Sequence, residues 1–202
     1  MPGWDYSRGG KYYVTICTRN RICFFGDVVN DEMQLNETGK IVNDLWLKIP
    51  EHFDDTYLDE FVVMPNHIHG IVVMKRSHLI NDGIVSNRDV ETPNLGVSTY
   101  QMNETYQTGK PYLPQQKTMI TNWAPGSLGV IINQFKRICT ITIRNVKTLN
   151  LGVFTCRDFG WQPRFYDEII RNDKRMEQIR TYIKNNPANW DKDDKNPKNI
   201  KR

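Results

Sequence analysis

Apolar positions along the chain follow two patterns, one typical of strands and one typical of helices. The β-branched and aromatic run at residues 12–18 predicts a first strand. Residues 57–64 and 67–74 predict two more, and only Pro65 and Asn66 separate them, so they form an antiparallel hairpin. Its second strand is apolar on both faces apart from its histidines, so we expect the hairpin in the middle of the sheet.

Three stretches carry apolar residues at helical spacing, and each follows a residue that can cap a helix. The caps are Asn36, Ser127 and Asn172. Proline cannot continue a helix, so the first stretch is predicted to stop at Pro50 and the third at Pro187.

The remaining segments are less regular. Residues 75–126 are polar, show no sustained period and predict an insertion in a single domain that spans residues 1–190. Residues 154–170 predict a short hairpin or an edge strand, centred on 164–166. Residues 191–202 are charged and predict a mobile tail.

The predicted order is strand, helix, strand, strand, helix, strand, helix. This order indicates the α+β class, with a ferredoxin-like (RRM-like) antiparallel sheet that carries helices on one face. A chain of 202 residues with 39% hydrophobic residues is long enough to bury the core of such a domain.

Charge is distributed unevenly behind a formal net charge of +4. Residues 1–116 carry 10 Lys+Arg against 15 Asp+Glu, whereas residues 117–202 carry 17 against 8. A basic half of this size is expected of a protein that binds a polyanion such as nucleic acid, although a solvated charged face has the same composition.

Cellular location is an expectation from what the sequence lacks. No apolar run reaches the roughly 18 residues of a membrane helix, and the first residues do not form a signal pattern. The four cysteines have no Cys-x-x-Cys spacing. We therefore expect a cytoplasmic protein with reduced thiols.

The tripeptide at residues 67–69 is a candidate metal site. Alternation along a strand puts His67 and His69 on one face and Ile68 on the other. The two imidazoles can converge on one divalent ion, or they can simply be polar surface. If they do bind an ion, a site completed by an oxygen ligand suits Mg²⁺ or Mn²⁺.

The last predicted helix offers a candidate oxygen ligand. Tyr182 and Asn186 are four residues apart and share one face, next to the apolar stripe. The pair can point together at a site on the sheet. Alternatively, Tyr182 is an aromatic at the edge of the stripe and Asn186 is an ordinary C-terminal helix residue.

Four segments together closely resemble the single-tyrosine transposases of the HUH nuclease superfamily, most of all the branch associated with repetitive extragenic palindromes. The combination of Met-Pro-Asn-His-Ile-His-Gly with a later Tyr-Ile-Lys-Asn-Asn-Pro is the most specific part of the resemblance. The segments are residues 6–21, 59–70, 161–171 and 182–187.

The resemblance implies a reaction and its residues. It implies that His67 and His69 bind the metal, that Asn186 is the third ligand and that the C-terminal helix carries the nucleophile, Tyr182. The implied enzyme is a metal-dependent nickase and strand transferase that cleaves and rejoins hairpin-bearing single-stranded DNA through a 5′-phosphotyrosine. The implied assembly is a monomer or a homodimer, and the general base is not identified.

Basic and aromatic residues of the second half are candidate DNA contacts. Trp161 can stack on a base or belong to the core. A protein that binds nucleic acid without cleaving it, and a phosphodiesterase for small substrates, are the alternatives. The expected contacts are Lys136, Arg137, Arg144, Arg164, Tyr166, Arg171, Lys174, Arg175 and Arg180.

Overall fold

A computed structural model of the protein describes residues 9–75, 127–146 and 158–199. The predicted insertion from residue 76 onward, the start of the predicted 154–170 segment and residues 200–202 lie outside this part. Four strands form one antiparallel sheet in the order β4-β5-β1-β6. The strands are β1 Gly10–Cys17, β4 Thr56–Met64, β5 His67–Met74 and β6 Tyr166–Ile170.

The predicted hairpin is present, with Met64 opposite His67 across the Pro65-Asn66 turn. Of the two hairpin strands, however, only β5 lies inside the sheet, because β4 forms one edge. The expectation that the whole hairpin is central was therefore wrong. Asp59 and Glu60 explain the difference, because a strand with two adjacent acidic residues keeps them solvated most easily at an edge.

Each predicted cap begins a helix, and a side-chain oxygen accepts from a backbone N–H at all three. Asn36 begins α1, Ser127 begins α3 and Asn172 begins α4. Pro50 lies in the first turn of a short helix that follows α1 directly, rather than only ending α1. The helices are α1 Glu37–Leu47, α2 Ile49–His52, α3 Leu128–Asn145 and α4 Asp173–Lys184.

The helices α1 and α3 pack on one face of the sheet. Trp46 of α1 is fully buried and lies over Gly70 of β5, and its ring centroid is 5.1 Å from that of Phe135 on α3. Side chains on this face of β5 alternate with those of the two histidines, so α1 and α3 lie behind the histidines.

The helix α4 packs on the opposite face. Its residues Met176, Ile179 and Ile183 form one buried cluster with Tyr13, Ile71 and Ile170 of the sheet. The α+β class and the antiparallel sheet are confirmed, with one difference: helices cover both faces rather than one. The separation matters for the site, because among the α-helices of the described residues only α4 shares a face with the histidines.

A second, two-stranded sheet was not predicted. It consists of β2 Gly26–Val29 and β3 Glu32–Leu35, joined by Asn30 and Asp31 with φ of 52° and 62°. Two consecutive residues with positive φ are typical of a tight hairpin turn. The strands bury little and therefore carry too weak an alternation for sequence analysis.

The residues before β6 and after α4 also differ from expectation. The strand β6 starts at Tyr166, where the predicted 164–166 centre ends. Trp161 is half-buried and packs against the core, because its Nε1 donates to the Lys136 carbonyl and its ring contacts those of Phe25 and Phe159.

Residues 191–199 have defined contacts, although a mobile tail was predicted. They begin in the last residues of a 3₁₀ helix at Pro187–Lys192 and end in a second one at Pro197–Asn199. Asp193 and Asn196 are buried, and the carbonyl of Lys195 accepts a hydrogen bond from Asn66 Nδ2. Within the part of the chain described above, no helix is long and apolar enough to cross a membrane.

Gly70 should be intolerant of a side chain because a Cβ there would lie 2.5 Å from Cζ2 of Trp46. We expect Gly70→Ala to lower the free energy of unfolding by about 1–3 kcal/mol, the usual cost of overpacking a core. Urea unfolding measures the change. Gly160→Ala is the control, because its nearest neighbour would be 3.7 Å away. Equal stability of the two variants would contradict the packing described for Trp46.

Candidate active site

The two histidines of β5 lie side by side on the α4 face of the sheet. Both are fully buried, and their Nε2 atoms are 3.0 Å apart. The alternation predicted for residues 67–69 is confirmed, because Ile68 is buried among the residues of the other face. The two imidazoles therefore do converge, and they are not polar surface.

The protonation of His67 follows from its neighbour Asn66. The Nδ2 of Asn66 donates to the carbonyls of Arg21 and Lys195, at 2.9 and 2.8 Å. Its Oδ1 is thus left to accept from His67 Nδ1 at 2.8 Å. His67 then carries its proton on Nδ1, and its Nε2 lone pair points into the site.

His69 is oriented by two hydroxyl groups from the neighbouring strand. Its Nδ1 lies 2.7 Å from Tyr13 Oη and 2.8 Å from Thr15 Oγ1. Both residues belong to β1, in which Thr15 pairs directly with His69. These contacts hold the ring so that its Nε2 faces His67 and Tyr182.

Both imidazoles are neutral at physiological pH. Burial lowers the pKa of His67 well below its ordinary value, and the neighbouring His69 and Lys195 lower it further. Burial and the charge of Lys195 lower the pKa of His69 to about 3. A neutral imidazole is the form that binds a metal ion.

Asp193, from the segment after α4, is the third residue of the site. Its Oδ1 accepts from the backbone N–H of Lys195 at 2.7 Å, and its Oδ2 is 3.8 Å from Nε2 of His67. Burial raises the pKa of this carboxyl group. The possible ligand atoms of His67, His69 and Asp193 all lie within 4.8 Å of one another.

Asn186 lies next to the same group, at the end of α4. It is buried beside His67 and Tyr182, and its amide raises the pKa of His67 and lowers that of Tyr182. The structure therefore brings the four residues expected from the sequence, His67, His69, Tyr182 and Asn186, into one place.

Two buried oxygens test whether these residues fit a cation. Among the described residues, Asn186 Oδ1 and Asp193 Oδ2 have no hydrogen-bond partner. A buried acceptor without a partner costs about 1–3 kcal/mol. Two neutral imidazoles and two oxygens without partners are a donor set that fits a divalent cation.

Tyr182 is the exposed member of the site. Its side chain is 46% exposed, and its Oη lies 3.4 Å from Nε2 of His69. Burial of the rest of the ring raises the pKa of the phenol, while the charge of Lys195 and the amide of Asn186 lower it. The phenol therefore lies on the open side of the buried cluster, where it is accessible from solvent.

His69 is a poor general base for Tyr182 in spite of their contact. Its pKa of about 3 lies far below the ordinary phenol value of about 10, so proton transfer from Tyr182 to His69 is unfavourable. Lys195 assists ionisation of Tyr182 instead, because its positive charge favours the phenolate.

Sequence analysis missed four residues of the site. Tyr13 and Thr15 alternate on a strand that was predicted, so knowledge of the pairing between β1 and β5 would have found them. Asp193 and Lys195 lie in the segment predicted as a tail, where no periodic pattern marks a buried residue.

Two of the expected DNA contacts, Arg175 and Arg180, are engaged within the protein. Arg175 pairs with Glu168 of β6 through two hydrogen bonds, at 2.6 and 2.8 Å. Arg180 pairs with Asp59 of β4 through two more, both 2.7 Å long, and also contacts Glu177. These ion pairs connect α4 to both edges of the sheet.

Lys136 and Arg144 of α3 also have structural partners. Lys136 is buried, and its Nζ donates to the carbonyls of Gln162 and Pro163 at 2.6 and 3.1 Å. Arg144 donates twice to the carbonyl of Phe159. Both were expected to contact DNA, but the loop before β6 folds over this side of α3.

The other expected contacts lie at the surface. Tyr166 is 57% exposed on the same face as the histidines. Arg164, Arg171 and Lys174 are exposed in or near β6 and α4, whereas Arg137 is exposed on α3, behind the sheet.

Comparisons with known proteins complete the description. No family model matches the chain. A structure of a REP-associated tyrosine transposase bound to a REP hairpin is 19% identical with a TM-score of 0.46, over 94% of this chain and 74% of that one. A candidate transposase from Deinococcus radiodurans R1 is 14% identical with a TM-score of 0.41, over 92% of this chain and 95% of that one. Scores below 0.5 do not identify a fold or an activity.

A relative found by sequence comparison shows the protein family more clearly than these two structures do. An uncharacterized protein of Haemophilus influenzae (strain ATCC 51907 / DSM 11121 / KW20 / Rd) is 33% identical over 193 residues. The match covers 96% of this chain and 88% of the relative. The chain therefore belongs to the same protein family as this Haemophilus influenzae protein.

Proposed function

We propose that the protein is a metal-dependent nickase and strand transferase for single-stranded DNA, with Tyr182 as the nucleophile. One observation carries the proposal: an exposed phenol lies 3.4 Å from a buried histidine pair, next to two buried oxygens that lack partners among the described residues. The resemblance of the sequence to single-tyrosine transposases supports the same residues and the same reaction.

The ligands in this proposal are His67, His69, Asp193 and Asn186, of which Asp193 is an addition to the set expected from the sequence. Their mixture of imidazole and oxygen donors suits Mg²⁺ or Mn²⁺. A cation bound there would polarise a phosphodiester and stabilise the charge that develops in the transition state.

The proposed reaction exchanges one phosphate ester for another. The Oη of Tyr182 attacks phosphorus, the bond from phosphorus to the 3′-oxygen breaks, and the phenol proton ends on the departing 3′-hydroxyl. The product is a 5′-phosphotyrosine. Because the number of ester bonds is unchanged, a second 3′-hydroxyl can reverse the step and join two strands without another energy source.

The position of Tyr182 is set by the contacts of α4. The pairs Arg175–Glu168 and Arg180–Asp59 hold the helix across the sheet. Lys195 favours the ionised phenol from the other side. Proximity and a preset orientation are the contributions that such a site makes to the rate.

The proposed substrate is single-stranded DNA with hairpin ends, as the resemblance implies. The exposed rings of Tyr166 and Tyr182 lie on the histidine face, where unpaired bases could stack. Duplex DNA offers no free base for such stacking, so a single strand suits this face better.

Tyr182→Phe should abolish a covalent protein–DNA band while leaving DNA affinity within about twofold, because only the attacking oxygen is removed. The assay incubates a labelled hairpin-bearing single strand with the protein and Mn²⁺, followed by denaturing electrophoresis. Tyr166→Phe is the matched control and should keep the band. An adduct formed by Tyr182→Phe would refute the nucleophile, and binding without any adduct in the wild type would indicate a binding protein.

Asp193→Asn should weaken Mn²⁺ binding by about tenfold or more, because the carboxylate beside His67 would lose its charge. Isothermal titration calorimetry measures the affinity directly. Asp191→Asn is the matched control, since Asp191 is exposed two residues away. Equal losses in the two variants would exclude Asp193 as a ligand.

Removing both hydroxyls that orient His69 should weaken Mn²⁺ binding by about 10–100-fold, the usual effect of losing groups that orient a ligand. Tyr13→Phe or Thr15→Val alone should have a smaller effect, because each leaves Nδ1 one partner. The same calorimetry tests this order. A double variant that binds Mn²⁺ like the wild type would show that the ring needs neither hydroxyl.

A further inference from the structure

An open cleft of about 580 Å³ lies at the end of β1 and is separate from the histidine cluster. We name it the arginine cleft, because three of the six residues that line it are arginines and none is acidic. It is lined by Arg19, Asn20, Arg21, Gln162, Pro163 and Arg164.

The positive charges of this cleft are not neutralised as those of α4 are. Arg19 donates to the carbonyl of Asp158 and Arg21 to that of Asp194, so each partner is a neutral backbone group. Within the described part of the chain, none of the three arginines forms a salt bridge. The carboxylate of Asp194, which Arg21 influences, is bound by Lys195 instead.

Backbone hydrogen bonds connect the two walls of the arginine cleft to each other and to β1. On one wall, the backbone N–H of Arg19 donates to the Gly160 carbonyl at 2.8 Å. On the other, the N–H of Gln162 donates to the Cys17 carbonyl at 2.9 Å, and buried Lys136 binds the Gln162 and Pro163 carbonyls. The cleft is therefore formed before a ligand arrives, which lowers the entropic cost of binding.

Asn66 connects the cleft to the histidine cluster, because its Nδ2 donates to the Arg21 carbonyl and its Oδ1 accepts from His67. The charge of Arg21 also contributes to the lowered pKa of His67. A strand with one phosphate at Tyr182 can thus extend toward the cleft.

We propose that the arginine cleft binds the sugar–phosphate backbone of single-stranded DNA next to the reacting phosphate. Guanidinium groups form paired hydrogen bonds with phosphate oxygens, and an open cleft admits a polymer that continues past it. Contacts of this kind contribute affinity and position without selecting a base. The proposal rests on the proposed function for the place of the reacting phosphate.

The test is the salt dependence of binding to a labelled single strand, followed by fluorescence anisotropy. It compares Arg164→Gln and the double variant Arg19→Gln/Arg164→Gln with Arg137→Gln, a control on α3 behind the sheet. Each lost phosphate contact should lower the slope of log affinity against log salt by about 0.7, or about fivefold in affinity at ~0.1 M salt. The Arg137→Gln control should lose less affinity for the single strand than either cleft variant. Thermal unfolding verifies that all three proteins are folded.

Other arms of the experiment separate the sources of a phosphate ligand. Inorganic phosphate and a duplex of the same length are titrated in parallel. The proposal would be overturned if the arginine variants lost affinity only for inorganic phosphate or only for the duplex. An unchanged salt slope for the single strand would also overturn it. Losses for the single strand that follow the number of arginines removed would support it.

The measurement is independent of the proposed chemistry when all variants carry Tyr182→Phe. If the wild type forms no adduct but the arginine variants lose affinity, DNA binding by the cleft is supported and the proposed function is contradicted. If the wild type forms an adduct but the salt slope does not change, the proposed function is supported and DNA binding by the cleft is contradicted.

Discussion

The side chain of Asn66 is the interaction on which the rest of the site depends. One buried amide joins three separate parts of the chain: the hairpin turn that contains it, the end of β1 through Arg21 and the segment after α4 through Lys195. Because both of its amide hydrogens are used, its oxygen fixes the proton of His67. The same contacts bring Asp193 to the site, so the position of Asp193 and the protonation of His67 have one origin.

The two faces of the sheet are covered differently. Trp46, behind Gly70, fills the face that α1 and α3 cover and leaves no room for the strand to shift. On the other face, α4 covers only part of the sheet, and its ion pairs with Asp59 and Glu168 hold it there. Arg175 and Arg180, two of the 17 Lys+Arg residues of the second half, thus pair within the protein, whereas the three arginines of the arginine cleft form no salt bridge among the described residues.

The predictions that the structure confirms are those that depend on interactions between residues close together in the chain. The caps at Asn36, Ser127 and Asn172, and the turn between β4 and β5, depend on neighbouring residues alone, and all four are present. The small β2–β3 sheet was missed because weakly buried strands carry little alternation. Charged residues were hardest to interpret, since a guanidinium that binds DNA and one that binds a distant carboxylate look alike in sequence.

The sequence by itself determined the α+β class and the order of the main strands and helices, because periodicity and short spacings encode them. Its resemblance to single-tyrosine transposases indicated the histidine pair with Tyr182 and Asn186. Tertiary structure alone decided the rest: α4 on its own face, Tyr13 and Thr15 behind His69, and Asp193 beside His67. Those contacts join residues that are far apart in the chain, and the burial that creates them leaves no local pattern.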